Sequence, residues 1–375
     1  MIDNSEEFVY RRDGEEAEVV VYAPDREAAE RGFNRAFRAA SMPGVEGAVR
    51  AAASGSGYGH AVVSGASASP EMVSAPERGV LLSCEVEAKD FARRLGVAEH
   101  QVNREVSRLM GESIYGLPRS DRRSVKRACE AGAEEAAAAG VIEEEDLVFL
   151  RPLAADPEAA GRRALAAGER EWGRLFADIT PYSPAGVFDP DALEDSGLEA
   201  GRLFLFLSVG AGELGRLAFS LHRERFGSRI LTRDFDFVPD PTGGVASLCV
   251  GPSDSEEAGD FVAASASAAN FSDALSALSL FVVRRALGSV LGGVEIRSSW
   301  RSGGITQRGD GLMLHRYGLA AVEAGGVFVS GGNLCSGRGE MESSAPTFQV
   351  PETGGRWPWE EAGLVGRTAR LEVFR

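Results

Sequence analysis

The pattern of apolar and polar positions changes period several times along the chain, and each change predicts an element. Residues 15–23 (EEAEVVVYA) hold a β-branched run and predict a first strand. Residues 25–40 (DREAAERGFNRAFRAA) predict a helix, with Asp25 placed to cap its N-terminus. From 41 to 86 the texture shifts to Gly, Ala and Ser with short apolar runs. That composition predicts strands joined by tight turns, with backbone close to a ligand or another strand. Residues 87–142 are charged and helical in pattern, alanine-rich at 130–139, and residues 153–173 predict a further amphipathic helix.

The centre of the chain reads differently. GRLFLFLSVGAG (201–212) is a continuous apolar run ending in a Gly-rich turn, the pattern of a buried strand feeding a loop. Residues 258–288 predict the longest helix, small and apolar on one face, and LMLHRYGLAAVEAGGVFVSGGN (312–333) predicts a last set of strands. No Pro-rich linker, low-complexity tract or internal repeat divides these elements. The expectation is one large α/β (α+β) domain over 1–375, with central β-sheets surrounded by helices.

Composition narrows the function classes. With 44% hydrophobic and 26% charged residues the chain has globular proportions. No uninterrupted apolar run reaches the roughly 18 residues of a membrane span, and the acidic N-terminus lacks a signal-like apolar stretch, so the expected location is cytoplasmic, with no membrane partner. The four cysteines, Cys84, Cys129, Cys249 and Cys335, show no metal-ligand spacing and no disulfide framework. A formal net charge of −16 repels nucleic acid at long range, and lysine occurs only at Lys89 and Lys126. Arginine clusters nevertheless remain able to grip phosphate locally.

Several chemistries can be tested on the residues. FARRLGVAEHQVNREVSRLMG (91–111) has the cadence of a helix-turn-helix, with Gly96 near the turn and Gln101, Asn103 and Arg104 leading a second helix. An amphipathic helical hairpin has the same pattern. The four histidines, His60, His100, His222 and His315, form no HxH, HxxxH or HExxH pair. Both lysines sit in charged helical segments, a poor setting for a lysine nucleophile. Neither GxSxG nor GxxxxGK(S/T) occurs. The Gly-rich loops at 55–59, 210–215 and 331–339 would cradle phosphate through backbone N–H groups or serve as tight turns.

The order of these pieces resembles the RtcB-type RNA ligases, which join an RNA 3′-phosphate or 2′,3′-cyclic phosphate to a 5′-hydroxyl using manganese and GTP. The match runs through PGVEGAV (43–49), GYG (57–59), VSAPERGVLLSCEV (73–86), LEAGRLFLFLSVGAGELGR (198–216), SASAANFSDALS (265–276), LMLHRYGLAA (312–321) and VFVSGGNLCSG (327–337). It is strongest over 42–340. In the family the third of these segments is a turn carrying an aspartate and a cysteine that bind metal.

The departures are consistent in kind. Cys84 is kept, whereas Leu81 stands at the family's aspartate and Ser208 and Ser299 at two of its histidines. No histidine follows His315, so the segment with the guanylylated histidine is missing. Serine and leucine do not replace histidine and aspartate as manganese ligands. The resemblance therefore implies a degenerate ligase homologue with no cofactor and Cys84 as the one metal remnant. Its Gly-rich cleft would take RNA ends, nucleotide or a protein such as an active ligase, through His315, Arg316, Tyr317, Gly210, Gly212, Gly331 and Asn333. The alternatives are an active enzyme whose metal is held by Glu85, Glu213 and Glu295, and a DNA binder acting through 91–111.

Overall fold

The computed structural model describes residues 6–10, 18–23, 38–52, 60–87, 90–98, 101–113, 121–172, 176–182, 202–230, 234–238 and 248–317, the strand segments 327–329, 332–336, 339–343, 347–349 and 369–372, and the single positions 27, 30 and 117. The first strands are β1 (Glu6–Tyr10), β2 (Val19–Ala23), β3 (Val45–Ala52), β4 (His60–Gly65), β5 (Ser67–Ala68) and β6 (Glu77–Glu87). A helical stretch follows: α1 (Phe91–Leu95), α2 (Val102–Ser113), α3 (Arg122–Ala131), α4 (Ala133–Ala138), α5 (Pro157–Ala160) and α6 (Arg162–Glu171). Then come β7 (Phe176–Tyr182), β8 (Arg202–Gly210), α7 (Gly212–Arg229), β9 (Asp236–Val238), β10 (Leu248–Pro252) and α8 (Glu256–Leu291). Strands close the chain: β11 (Val294–Ser302), β12 (Ile305–Gln307), β13 (Met313–Tyr317), β14 (Val327–Val329), β15 (Gly332–Ser336), β16 (Gly339–Ser343), β17 (Thr347–Gln349) and β18 (Ala369–Glu372).

Among the described residues the strands form a seven-stranded sheet ordered β16-β15-β11-β6-β8-β7-β18, a six-stranded sheet ordered β1-β2-β3-β4-β13-β12, and two smaller ones. Every described pairing is antiparallel except β2 with β3. The class is α+β: mixed helix and strand on antiparallel sheets.

Helix α8 organises the core. It runs 36 residues, a length of about 54 Å. The Ser255 hydroxyl accepts from the Ala258 N–H at its start, and Gly292, in the left-handed region, ends it. It is long and apolar enough to cross a membrane by length and composition alone, although no uninterrupted apolar run in the sequence is that long, and most of its apolar window is buried inside the fold. Its serines suit that burial: Ser267, Ser276 and Ser279 each donate to the carbonyl four residues back, at 3.0, 2.8 and 2.8 Å. One contiguous apolar cluster, with Phe261, Phe271 and Leu278 of α8, takes in Val80 and Leu82 of β6 and Leu205 and Leu207 of β8.

Other elements follow their local sequence with adjustments. The single helix expected over 153–173 is two, because Gly161 takes φ +87 and any Cβ there would lie 2.8 Å from Leu221 Cδ2. The helix expected over 25–40 lies largely outside the described residues, as do His100, Gly331 and the loop at 55–59.

Candidate functional site

The positions expected to hold the metal remnant lie on three adjacent strands, with β6 in the middle. Ser208 of β8 is opposite Gly79, and Ser299 of β11 is opposite Val80. Here the structure corrects an expectation. The segment expected as a metal-binding turn is one continuous strand from Glu77 to Glu87. Arg78, Val80, Leu82, Cys84 and Val86 are buried on one face, and the alternate positions include the exposed Glu85 and Glu87. Positions 81 and 84 thus fall on opposite faces, about 10 Å apart along the strand. By the same alternation position 208 shares the face of 81, whereas the buried Ser299 shares that of Cys84. One cation cannot be reached from both.

Cys84 itself sits in the apolar cluster, and burial pushes its thiol up to about 12, so the thiolate that would bind metal is disfavoured. Among the described residues no three His, Cys, Asp or Glu side chains converge as a ligand set. Glu85 and Glu295 are exposed, and Glu213 is ion-paired to Arg216.

A buried ionic cluster occupies the inner face instead. Asp273 on α8 is fully enclosed, and Arg78 forks onto it with Nε donating to Oδ1 at 2.6 Å and Nη2 to Oδ2 at 2.8 Å. Arg301 Nη2 donates to the same Oδ2 at 2.8 Å and also to the Arg151 carbonyl. Arg78 Nη1 donates to Ser299 Oγ at 3.3 Å, and that hydroxyl donates to the Phe149 carbonyl. Burial alone would raise the Asp273 pKa, but the guanidiniums of Arg301 and Arg78 outweigh it and hold the carboxyl below its ordinary range. A charge so placed is sustained only by pairing.

One turn earlier on α8, Asn270 ties down the connection ahead of α5. Its two Nδ2 hydrogens are shared among the carbonyls of Cys129, Glu130 and Leu153 at 3.0, 3.0 and 2.9 Å, and its Oδ1 accepts from the Leu153 N–H at 2.8 Å. On the far side Arg284 forks onto Asp146 and donates from Nε to the Val294 carbonyl at 3.0 Å.

The expected ligand-facing residues are split between two sheets, and the segment 69–76 joins them. On one side the Ser69 N–H donates to His315 Nε2 at 3.2 Å, so the neutral ring carries its proton on Nδ1. The Ser74 N–H donates to the Arg316 carbonyl at 3.3 Å, and Arg316 Nη1 donates to Thr306 Oγ1 at 3.2 Å. His315 and Arg316 are buried, and Tyr317 is half-buried. On the other side the Pro76 carbonyl accepts from the Ala211 N–H at 2.9 Å, beside Gly210 and Gly212. Asn333 lies on β15, next to β11, and its side chain is outside the described residues.

The Gly210–Gly212 loop does present N–H groups at a helix start, and a carboxylate of the chain already takes them. Glu171 accepts from the Glu213 N–H at 2.5 Å and the Leu214 N–H at 3.2 Å. Burial raises the Glu171 pKa, and these two N–H groups pull it back. Gly212 has φ +53, and a Cβ there would meet Glu171 Oε1 at 2.5 Å. Position 212 therefore requires glycine for both its conformation and its neighbour.

The helix-turn-helix cadence corresponds to α1, a turn at Gly96, and α2. Val102, Val106 and Met110 of α2 are buried, and its exposed Arg108 is paired with Glu105 and Glu112. That pairing balances charge on the face a recognition helix would offer to DNA.

Reading the sequence by motif missed Arg78, Glu171, Asn270, Asp273 and Arg301. The available signal was Asn270 and Asp273, an amide and a carboxylate three apart among the alanines, serines and apolar residues of α8. No protein-family model matches the chain, and no curated protein matches it.

Proposed function

We propose that this chain is a non-catalytic relative of the RtcB-type RNA ligases, its scaffold serving to bind RNA ends or a protein partner. One observation carries the reading. Arg78 and Arg301, which hold Asp273 of α8, lie on β6 and β11, two of the strands where the resemblance would put metal ligands. Both Asp273 oxygens are already engaged there by guanidinium N–H groups. A divalent cation would have to displace these guanidiniums to reach the carboxylate. The Glu171 carboxylate at the Gly212 turn supports the non-catalytic part of the reading, and RNA ends would have to bind elsewhere than this turn or displace it.

The test is incubation of the full chain with manganese and radiolabelled GTP, alongside metal analysis and a binding titration with a 3′-phosphorylated RNA oligonucleotide. The expected result is no covalent GMP, no stoichiometric manganese, and saturable binding of the oligonucleotide or of an active ligase. Covalent GMP or one manganese per chain would overturn the reading and favour an enzyme with substituted ligands.

A further inference from the structure

One buried titratable side chain lies outside this site. His222 is on α7, fully enclosed, with its ring 5.3 Å from that of Phe261 on α8 and tilted 37° to it. Nε2 lies 3.0 Å from the Ala159 carbonyl of α5, and since a carbonyl only accepts, Nε2 carries the proton of the neutral ring. The other nitrogen, Nδ1, is buried with no hydrogen-bond partner among the described residues. As an acceptor such an atom is tolerable; as an N–H it would be a buried donor with nothing to bind.

The element this bond holds is weak by itself. Helix α5 is a single turn, capped by the Asp156 side chain and ended at Gly161, so its position depends on tertiary contact. Pro157, Ala159 and Ala160 are its buried face.

The charged groups around the histidine are committed elsewhere. Glu158 of α5 pairs with Lys126 at 2.8 Å, and Arg225, next along α7, pairs with Asp260 of α8 at 2.8 Å. Arg223 donates to the Pro70 carbonyl at 3.4 Å. None of the carboxylates in these pairs stands as an acceptor on Nδ1.

We infer that His222 is an acid-sensitive latch: neutral, it pins Ala159 and with it the turn α5 against α7 and α8; protonated, it releases that turn. Burial, with Arg225 adding to it, holds the imidazole below its ordinary 6.5, while the Ala159 carbonyl and Asp260 oppose the shift. The sign follows. Above 6.5 the ring is neutral whether the turn is closed or open, and the latch is intact. Below it the released ring takes up a proton that the closed one resists, so closure weakens as pH falls from 6.5 toward the lowered native value.

Hydrogen exchange of the full chain, followed by mass spectrometry from about pH 7.5 to about pH 5 and corrected for intrinsic rates, tests this. In peptides covering 153–165, exchange should rise as pH falls below 6.5, by at most about tenfold per pH unit, and level off at the lowered native value. The same peptides of His222→Gln, which keeps a donor for Ala159 and cannot titrate, should show no such rise. Constant protection in the wild type, or an equal rise in the variant, would overturn the inference. Should the variant not fold, the imidazole proton shifts of the wild type decide. Titration of His222 together with loss of protection supports the latch, and titration near 6.5 with protection retained refutes it.

Discussion

Arg78 and Asp273, 195 residues apart in sequence, meet in a two-bond fork of 2.6 and 2.8 Å with both side chains fully buried. The pair ties the start of β6 to the middle of α8, and Arg301 ties β11 to the same carboxylate. Three elements of the core therefore share one anion.

That sharing sets the cost of losing it. Asp273→Asn removes the carboxylate that two buried guanidiniums share and is expected to destabilise by about 3 to 5 kcal/mol. Denaturant unfolding near neutral pH checks this. Because the native carboxyl is held below the ordinary 3.8, its contribution is full above that value and fades as pH falls through the lowered one. The variant should lose that part of the acid dependence.

Asn270 meets four backbone groups with one amide. Asn270→Ala removes two N–H donors shared by three carbonyls and the acceptor of one N–H, and an expected loss of about 2 to 4 kcal/mol follows. Unfolding curves with unchanged denaturant dependence, shifted to lower midpoint, would be the expected form.

Gly212 and Glu171 should be coupled. Gly212→Ala meets both a left-handed backbone and the Glu171 carboxylate, and is expected to cost about 1 to 3 kcal/mol. In a Glu171→Ala background the carboxylate is gone, so the same substitution should cost less. A double-mutant cycle measures the difference, and additive effects would show that the close approach carries no energy.

Cys84 should behave as a core residue. With its thiol pushed up to about 12 by burial, it should resist an aromatic disulfide reagent near pH 8 until the chain unfolds. Cys84→Ala should leave metal content unchanged. Rapid labelling of Cys84 in the native protein, followed by mass spectrometry, would contradict this placement.

Local chemistry in the sequence was enough for much of the fold. The apolar run at 201–212 ends in glycine because β8 must turn sharply into α7, and 258–288 is legible as the longest helix, although the one apolar face expected of it became burial all round over 264–280. The strand through His315 was equally legible. Each of these rests on neighbours within a few residues, where spacing and turn chemistry act directly.

Tertiary structure decided the site. Whether 77–87 bends into a turn or runs straight depends on β8 and β11 pairing along both its edges, and those partners lie more than a hundred residues away. Likewise the Gly210–Gly212 loop reads as an anion cradle until the fold brings Glu171 onto it, 42 residues upstream of its closest partner. Buried charge is long-range in origin: the sequence places Asp273 in a stretch of small and apolar residues, but only the packing of β6 and β11 brings up the arginines that keep it ionised.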